Sequence, residues 1–362
     1  MRVAILSPVF WPEVRRGTER FARELADGLL ERGHEPRLIT SHRGVPSRTV
    51  EDGLEIARVW RPPDGRLERR LYERHLTHLP FALRELGRGD DDLAHALYPT
   101  DAAVAGRWGR RTGKPVVFSF MGIPHRQALA NRRLRLEAMQ AALRGASAVV
   151  ALSETAAEGF RRWLGVDARV IAPGVDLDAF RPDRAQRAEV PTILCAADLT
   201  EPRKRVGLLV EAFVQVRRER PGARLVLSRP RDPAAVTVLP EGVELRDLDD
   251  RATLAAANRE AWVAALPSWG EAFGLVLVEA MACGTPVVAS DREALPEVVD
   301  RDEVGRLFSG DDPADVARAL LAALELAEHP ATAVACRARA ADFSTDRCVE
   351  AYVELYRELG AS

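Results

Sequence analysis

Residues 268–290 hold the densest set of groups that could do chemistry: Ser-Trp-Gly-Glu-Ala-Phe-Gly-Leu-Val-Leu-Val-Glu-Ala-Met-Ala-Cys-Gly-Thr-Pro-Val-Val-Ala-Ser. The stretch reads as a strand end, a loop, a helix stopped by Gly284, and a new strand. Loop 269–274 is then at the carboxyl edge of a sheet, where open α/β folds bind ligands. Gly274 lets backbone N–H groups at the helix start approach a bound group closely. Those free donors, with the helix dipole, suit phosphate or sugar oxygens. Glu271 sits on the loop and Glu279 farther along, inside the helix. Carboxylates accept hydrogen bonds from vicinal hydroxyls, so one could hold a sugar and the other a ribose. The competing reading is an amphipathic helix with an ordinary polar face. A loop Glu, a Gly at the helix start, a second Glu and the Gly-Thr-Pro restart together argue against it.

The elements that must position these residues alternate along the chain. Residues 3–6 are an apolar run ending at Ser7-Pro8, as a buried strand would. Residues 18–32 place Phe21, Leu25 and Leu29 on one helical face, with Thr18 able to cap the helix and Gly33 able to end it. Strand-like runs follow at 36–40, 93–97, 115–120 and 148–152, with helical stretches between them. The pattern restarts after Pro173-Gly174-Val175-Asp176 and a polar stretch, 181–189, that reads as a linker. Residues 192–196 open a second series, continued by a helix at 206–218 and strands at 225–228, 243–245, 262–266 and 286–289. Alternating strands and helices imply parallel sheets covered on both faces. The expected architecture is α/β: two doubly wound, Rossmann-like domains facing across a cleft. Their expected limits are 1–180, joined by a C-terminal helix at about 345–362, and 190–344.

Length and composition agree with this. A chain of 362 residues is too long for one ordinary α/β core and comfortable for two. With 47% hydrophobic and 29% charged residues it is a folded protein, and no apolar run reaches membrane-spanning length. The opening Met-Arg-Val-Ala-Ile-Leu reads as a first strand and not a signal peptide. Four scattered cysteines without Cys-x-x-Cys spacing fit reduced thiols in a cytoplasmic protein and exclude a zinc ribbon. Residues 1–180 carry 29 Lys and Arg against 23 Asp and Glu, whereas the rest carry 23 against 31. Only Lys114 and Lys204 are lysines, so the basic half is an arginine surface, either simply solvated or in peripheral contact with an anionic membrane. Residues 126–144, with five Arg and one Glu, are the segment such a contact would use.

Residues 271–279 resemble the E-x7-E signature of glycosyltransferase family 4, retaining enzymes of the GT-B fold. The resemblance extends to Gly17-Thr-Glu-Arg, to 148–153, to Pro173-Gly-Val-Asp, to Glu201-Pro-Arg-Lys204 and to Leu295-Pro-Glu-Val-Val299. The Glu-Pro-Arg-Lys run is particularly similar to bacterial phosphatidylinositol mannosyltransferases. It implies a hexosyl transfer from a nucleotide diphosphate sugar, of uridine or guanosine type, to an acceptor the sequence does not name. It further implies that Glu271 contacts the donor sugar, Glu279 the ribose and Lys204 the diphosphate, with Phe273, Gly274 and Leu275 supplying backbone contacts. Arg203 and the loop residue Gly17 belong to the same donor set. No cofactor or nucleic acid is expected. No metal site is expected either, because the acidic run Asp90-Asp91-Asp92 precedes a strand and reads as a solvated cap. Cations and backbone N–H groups must then stabilise the leaving diphosphate.

The sequence departs from the family at four places. Arg16-Gly17 replaces the usual Gly-Gly, Asp198 an Arg, Met121-Gly122 a His-Gly, and Glu293-Ala294 a Gly-Gly. An Asp beside a diphosphate weakens binding by repulsion, and Arg16, Arg203 and Arg205 are the cations available to compensate. On the acceptor side, Met121 takes the place of the imidazole, and His125 is near enough in sequence to replace it or to be merely structural. The departures keep a degenerate, non-catalytic sugar-nucleotide binder as an alternative, beside another GT-B enzyme such as an epimerase or a phosphorylase. A nicotinamide dehydrogenase is disfavoured because no G-x-G-x-x-G follows the first strand.

Overall fold

The computed structural model describes residues 1–14, 17–230, 232 and 239–361. The chain forms two compact units, Met1–Gly174 with Thr345–Ser362, and Val175–Ser344.

The first unit holds β1 (Arg2–Leu6), β2 (Glu35–His42), β3 (Ser47–Glu51), β4 (Leu54–Trp60), β5 (Leu93–Ala96), β6 (Val116–Phe120), β7 (Ala148–Ala151) and β8 (Arg169–Val170). Their order is β3-β4-β2-β1-β5-β6-β7-β8, parallel except for β3, which pairs antiparallel with β4. Alternate residues of β1 feed two cores. Val3 and Ile5 pack with Phe21, Leu25 and Leu29 of the helix Gly17–Glu31, and Ala4 and Leu6 with Trp108, Phe118 and Phe160. A sheet buried on both faces is why its strands read as continuous apolar runs. The β3–β4 hairpin was not legible that way, because β3 is exposed along most of its length. Its signal is Asp52-Gly53, both at positive φ, a pair favoured in two-residue hairpin turns. Thr18 is not the cap of the first helix, since that helix already includes Gly17. Gly33, at φ +74°, does end it.

The acidic run is not a solvated cap. Asp91 is buried and accepts both Nε and Nη2 of the buried Arg37, at 2.7 and 2.6 Å. Only its neighbours serve the surface: Asp92 accepts the Arg2 N–H, and Asp90 pairs with Arg2 and Lys114.

The helix Thr345–Glu358 returns to the first unit because it carries two tyrosines that the sheet needs. Tyr352 and Tyr356 are fully buried. Tyr356 Oη meets His95 Nδ1 at 2.7 Å, His95 Nε2 meets Ser119 Oγ at 2.7 Å, and Ser119 Oγ meets Tyr352 Oη at 2.9 Å. A Cβ on Gly28 would fall 2.5 Å from Val349, so the two helices pack closer than any side chain there allows.

The second unit holds β9 (Thr192–Cys195), β10 (Arg224–Ser228), β11 (Val243–Arg246), β12 (Val263–Leu266), β13 (Val287–Ser290) and β14 (Gly305–Phe308), all parallel, in the order β11-β10-β9-β12-β13-β14. The stretch read as a linker belongs to this unit, which begins at Val175 and not at 190. Phe180 is fully buried, and Arg337 bonds the carbonyls of Leu177 and Phe180. Asp176 caps the turn by accepting the N–H groups of Asp178 and Ala179.

Burial pushes the His95 imidazole down to about 3 and that of His75 to about 4. Each is neutral when folded and titrates near 6.5 when unfolded. Their contribution to stability is complete above pH 6.5 and is lost as pH falls toward the folded values, by up to about 1.4 kcal/mol per pH unit for each group. Denaturant unfolding between pH 7.5 and 4.5 should show this decline, and His95→Gln should remove about one proton's share of the slope.

Candidate active site

In the second unit the chain winds outward from β9 in both directions, so the crossover switches side between β9 and β12. In open sheets of this kind the loops leaving the carboxyl ends of those strands are where ligands bind. They carry the residues singled out from sequence. After β9, residues 196–201 lead into a short 3-10 turn, Pro202–Lys204, and then the helix Val206–Glu219. After β12, residues 267–274 lead into the helix Leu275–Ala282.

The two loops are joined by main chain and by charge. Trp269 N–H donates to the carbonyl of Arg203 at 2.8 Å. Lys204 Nζ donates to Glu271 Oε1 at 2.5 Å, and Arg203 Nη1 donates to the same oxygen at 3.1 Å. Arg203 Nε also donates to Glu201 at 2.6 Å. Burial works against the Arg203 charge, but Glu271 and Glu201 outweigh it and hold its proton more firmly than usual. The Lys204 and Glu271 side chains are only 16% and 13% exposed, so this pair is far better shielded than a surface ion pair.

Glu279 is fully buried on the helix that follows. Gly274, at φ +102°, occupies its N-cap position, and a Cβ there would lie 2.7 Å from Leu295. Both conditions exclude a side chain. Leu275 is the first helical residue, so its amide and that of Val276 have no acceptor within the helix, whereas Leu277 N–H already bonds Gly274 O at 2.9 Å. Phe273 is buried, with its ring against Phe343 at a centroid distance of 5.1 Å.

Two of the departures, Asp198 and Glu293, lie at this edge. Asp198 turns back on its own loop, accepting Thr200 N–H at 2.9 Å and Oγ1 at 2.6 Å. Glu293 takes φ +49°, a left-handed conformation that glycine adopts at less cost, whereas Ala294 does not need it. Arg205 is committed elsewhere: its guanidinium lies over the Trp269 ring at 4.5 Å and pairs with Asp311 at 2.6 Å. Arg292 also lies over that ring at 5.0 Å and reaches Asp311 at 3.4 Å. Sequence reasoning missed this stack, whose signal was an aromatic residue next to the loop Glu.

Gly17, Met121 and His125 lie in the first unit. Gly17 opens its first helix. Met121 packs, half-buried, against a core cluster of that unit. His125 Nδ1 caps the helix Arg126–Ala130 by accepting Ala128 N–H at 3.2 Å, a structural task. Arg16 lies outside the described residues. Among the described residues no three His, Cys, Asp or Glu side chains gather as a metal site would require. All four cysteines are buried, and burial pushes the Cys195 thiol up to about 11, so no thiolate nucleophile stands at this edge.

Comparison with known proteins decides what such a scaffold is. Residues 15–179 match the profile of Glycosyltransferase Family 4 and residues 190–326 that of Glycosyl transferases group 1. The phosphatidyl-myo-inositol mannosyltransferase of Mycobacterium leprae is 30% identical over 341 residues, covering 90% of this chain and 87% of that protein. The chain belongs to glycosyltransferase family 4. Its fold is GT-B. The sucrose-phosphate synthase of Thermosynechococcus elongatus superposes with a TM-score of 0.84 at 24% identity, covering 99% of this chain and 98% of that one. An Anabaena protein, HepE, solved with UDP-glucose, superposes at 0.77 with 18% identity, covering 99% and 100%. This family 4 enzyme is a glycosyltransferase. No single helix among its described residues is long and apolar enough to cross a membrane.

Replacing Gly274 with Ala forces a side chain onto a left-handed backbone and against Leu295. The expected cost is about 1–3 kcal/mol of stability, read by denaturant unfolding, together with a loss of turnover.

Proposed function

We propose that this enzyme transfers a hexosyl group from a nucleotide diphosphate sugar, without a metal and with retention of anomeric configuration. The observation that carries the reading is the convergence of Lys204 and Arg203 on Glu271 across the switch point of the second sheet. A diphosphate brought to that edge meets two cations already held in place, and the helix start at Leu275 adds backbone donors. As the bond from the anomeric carbon to the diphosphate oxygen breaks, charge grows on that oxygen where these groups stabilise it. The acceptor oxygen then forms its bond to the same face of the anomeric carbon, and its proton passes to the departing diphosphate oxygen. Glu271, relieved of its cations, accepts from a sugar hydroxyl, and Glu279 accepts from the ribose.

Uridine and guanosine diphosphate sugars are the donors proposed, the first supported by the UDP-glucose complex of the Anabaena protein. The mannosyltransferase relative supports a hexosyl group and an inositol-type acceptor. Met121 and His125 are proposed to border the acceptor. The enzyme is proposed to act in the cytoplasm, where the arginines of residues 126–144 would meet an anionic membrane face.

Glu279→Ala should weaken donor and free nucleotide diphosphate alike by about 1–3 kcal/mol. Glu271→Ala should spare the free nucleotide and lower turnover. Calorimetric titration of the three proteins tests this, and equal nucleotide affinity in all of them removes the ribose assignment. Activity should persist in excess chelator, and NMR of the product should show the donor's anomeric configuration; an inverted product contradicts the proposed mechanism.

A further inference from the structure

At the other end of the second sheet lies a cavity of about 260 Å³. Trp262 and Pro286 line it and immediately precede β12 and β13, so it opens at the amino edge, away from Lys204 and Glu271. Arg184, Arg187, Arg259 and Glu328 complete the part of the wall that matters here.

The helices Arg251–Glu260, Leu275–Ala282 and Pro313–Glu328 end around it, and carbonyls at helix ends commonly attract arginines. Here several of those carbonyls already have partners. Asn258 O accepts Thr285 Oγ1 at 2.7 Å, Glu260 O accepts Ala188 N–H at 3.0 Å, and Leu326 O accepts Thr332 Oγ1 at 2.8 Å. Ala282 O accepts Arg337 at 2.9 Å. Arg184 donates to Pro330 O at 3.3 Å, and Arg259 to Gln186 at 2.9 Å and Ala179 O at 3.4 Å.

Arg187 differs from its neighbours. Its guanidinium lies over the Trp262 ring, 4.1 Å from the centroid, and the indole N–H is fixed on Ala188 O at 2.8 Å. Nε and Nη2 are both buried and meet no acceptor. Among the described residues no carboxylate pairs with it: Asp183 is held by Ala185 N–H and Gln186, and Glu328 faces Arg220 at 3.9 Å. Burial, then Arg184, weaken its hold on its proton, and Glu328 only partly opposes them. A desolvated guanidinium edge with two idle donors is costly unless an acceptor arrives from outside. The Nε–Nη2 edge has the spacing to grip two oxygens of one oxyanion. The helix Pro330–Ala341 begins in the same wall with a dipole of the right sign, opposed by the dipoles of the three helices that end there.

We propose that this cavity is an oxyanion site in which Arg187 binds phosphate, either inorganic or carried by a small organic molecule. It is separate from the donor edge and does not depend on the donor assignment.

Calorimetric titration of the full-length chain with inorganic phosphate and with a hexose 6-phosphate tests it. The reference protein carries Lys204→Ala, so that phosphate binding at the donor edge is weakened. It should still bind phosphate, and adding Arg187→Ala should weaken that binding at least tenfold while circular dichroism stays unchanged. Should Arg187→Ala not fold, Arg187→Lys, which keeps the charge but not the fork, should weaken it at least threefold. Tighter binding of the hexose phosphate identifies an organic phosphate, and equal binding identifies the inorganic ion; either supports the site. No phosphate binding by the Lys204→Ala protein, or undiminished binding after Arg187 is changed, overturns the proposal.

Discussion

A single carboxylate oxygen on Glu271 receives both Lys204 and Arg203, and the carboxyl edge of the second unit is arranged around that meeting. Two cations on adjacent residues repel each other, and partial burial weakens the screening that water would supply. Glu271 resolves this by standing between them. The Trp269 amide on the Arg203 carbonyl fixes the approach of the two loops independently of charge. The Arg205–Trp269–Arg292 stack, tied to Asp311, then braces the loop that holds Glu271. An arrangement of this kind keeps cations close together in a ready geometry, which is the condition for stabilising a diphosphate without reorganisation.

The same edge shows how an altered sequence is accommodated. Asp198 turns one carboxylate oxygen to Thr200 within its own loop, where two neutral donors hold it in place. Glu293 and Arg205 both adopt left-handed backbone, at φ +49° and +54°, which costs a side chain more than a glycine. For Arg205 the compensation is visible in its bonds to Pro267 O, Gly310 O and Asp311. Without that guanidinium the loops after β9, β12 and β14 would have one fewer tie among them.

The first unit illustrates a different constraint. Its sheet buries His95 and Ser119, polar groups that need partners where no water reaches. Tyr352 and Tyr356, from the far end of the chain, supply them. The returning helix is therefore part of that core, and its two hydroxyls could not be replaced by apolar side chains without stranding an imidazole.

Local chemistry was enough to mark much of this. Apolar runs of strand length, the helix pattern of Phe21, Leu25 and Leu29, and left-handed glycines at helix boundaries, Gly33 after an end and Gly274 at a start, depend on backbone preference and burial, which neighbouring residues announce. The loop-Gly-helix grammar around Glu271 placed it, with Gly274 and Leu275, at a sheet edge for the same reason. What sequence could not decide was which distant groups meet. Nothing near Asp91 announces Arg37, and an acidic triplet reads as solvated until a buried partner appears. The polar segment 181–189 looked like a linker because its attachment, through Phe180 to Arg337, comes from 157 residues away. Arg187 among so many arginines is distinguished only by the donors it leaves idle. Side-chain pairing over such separations is set by packing, and packing is a property of the whole folded chain.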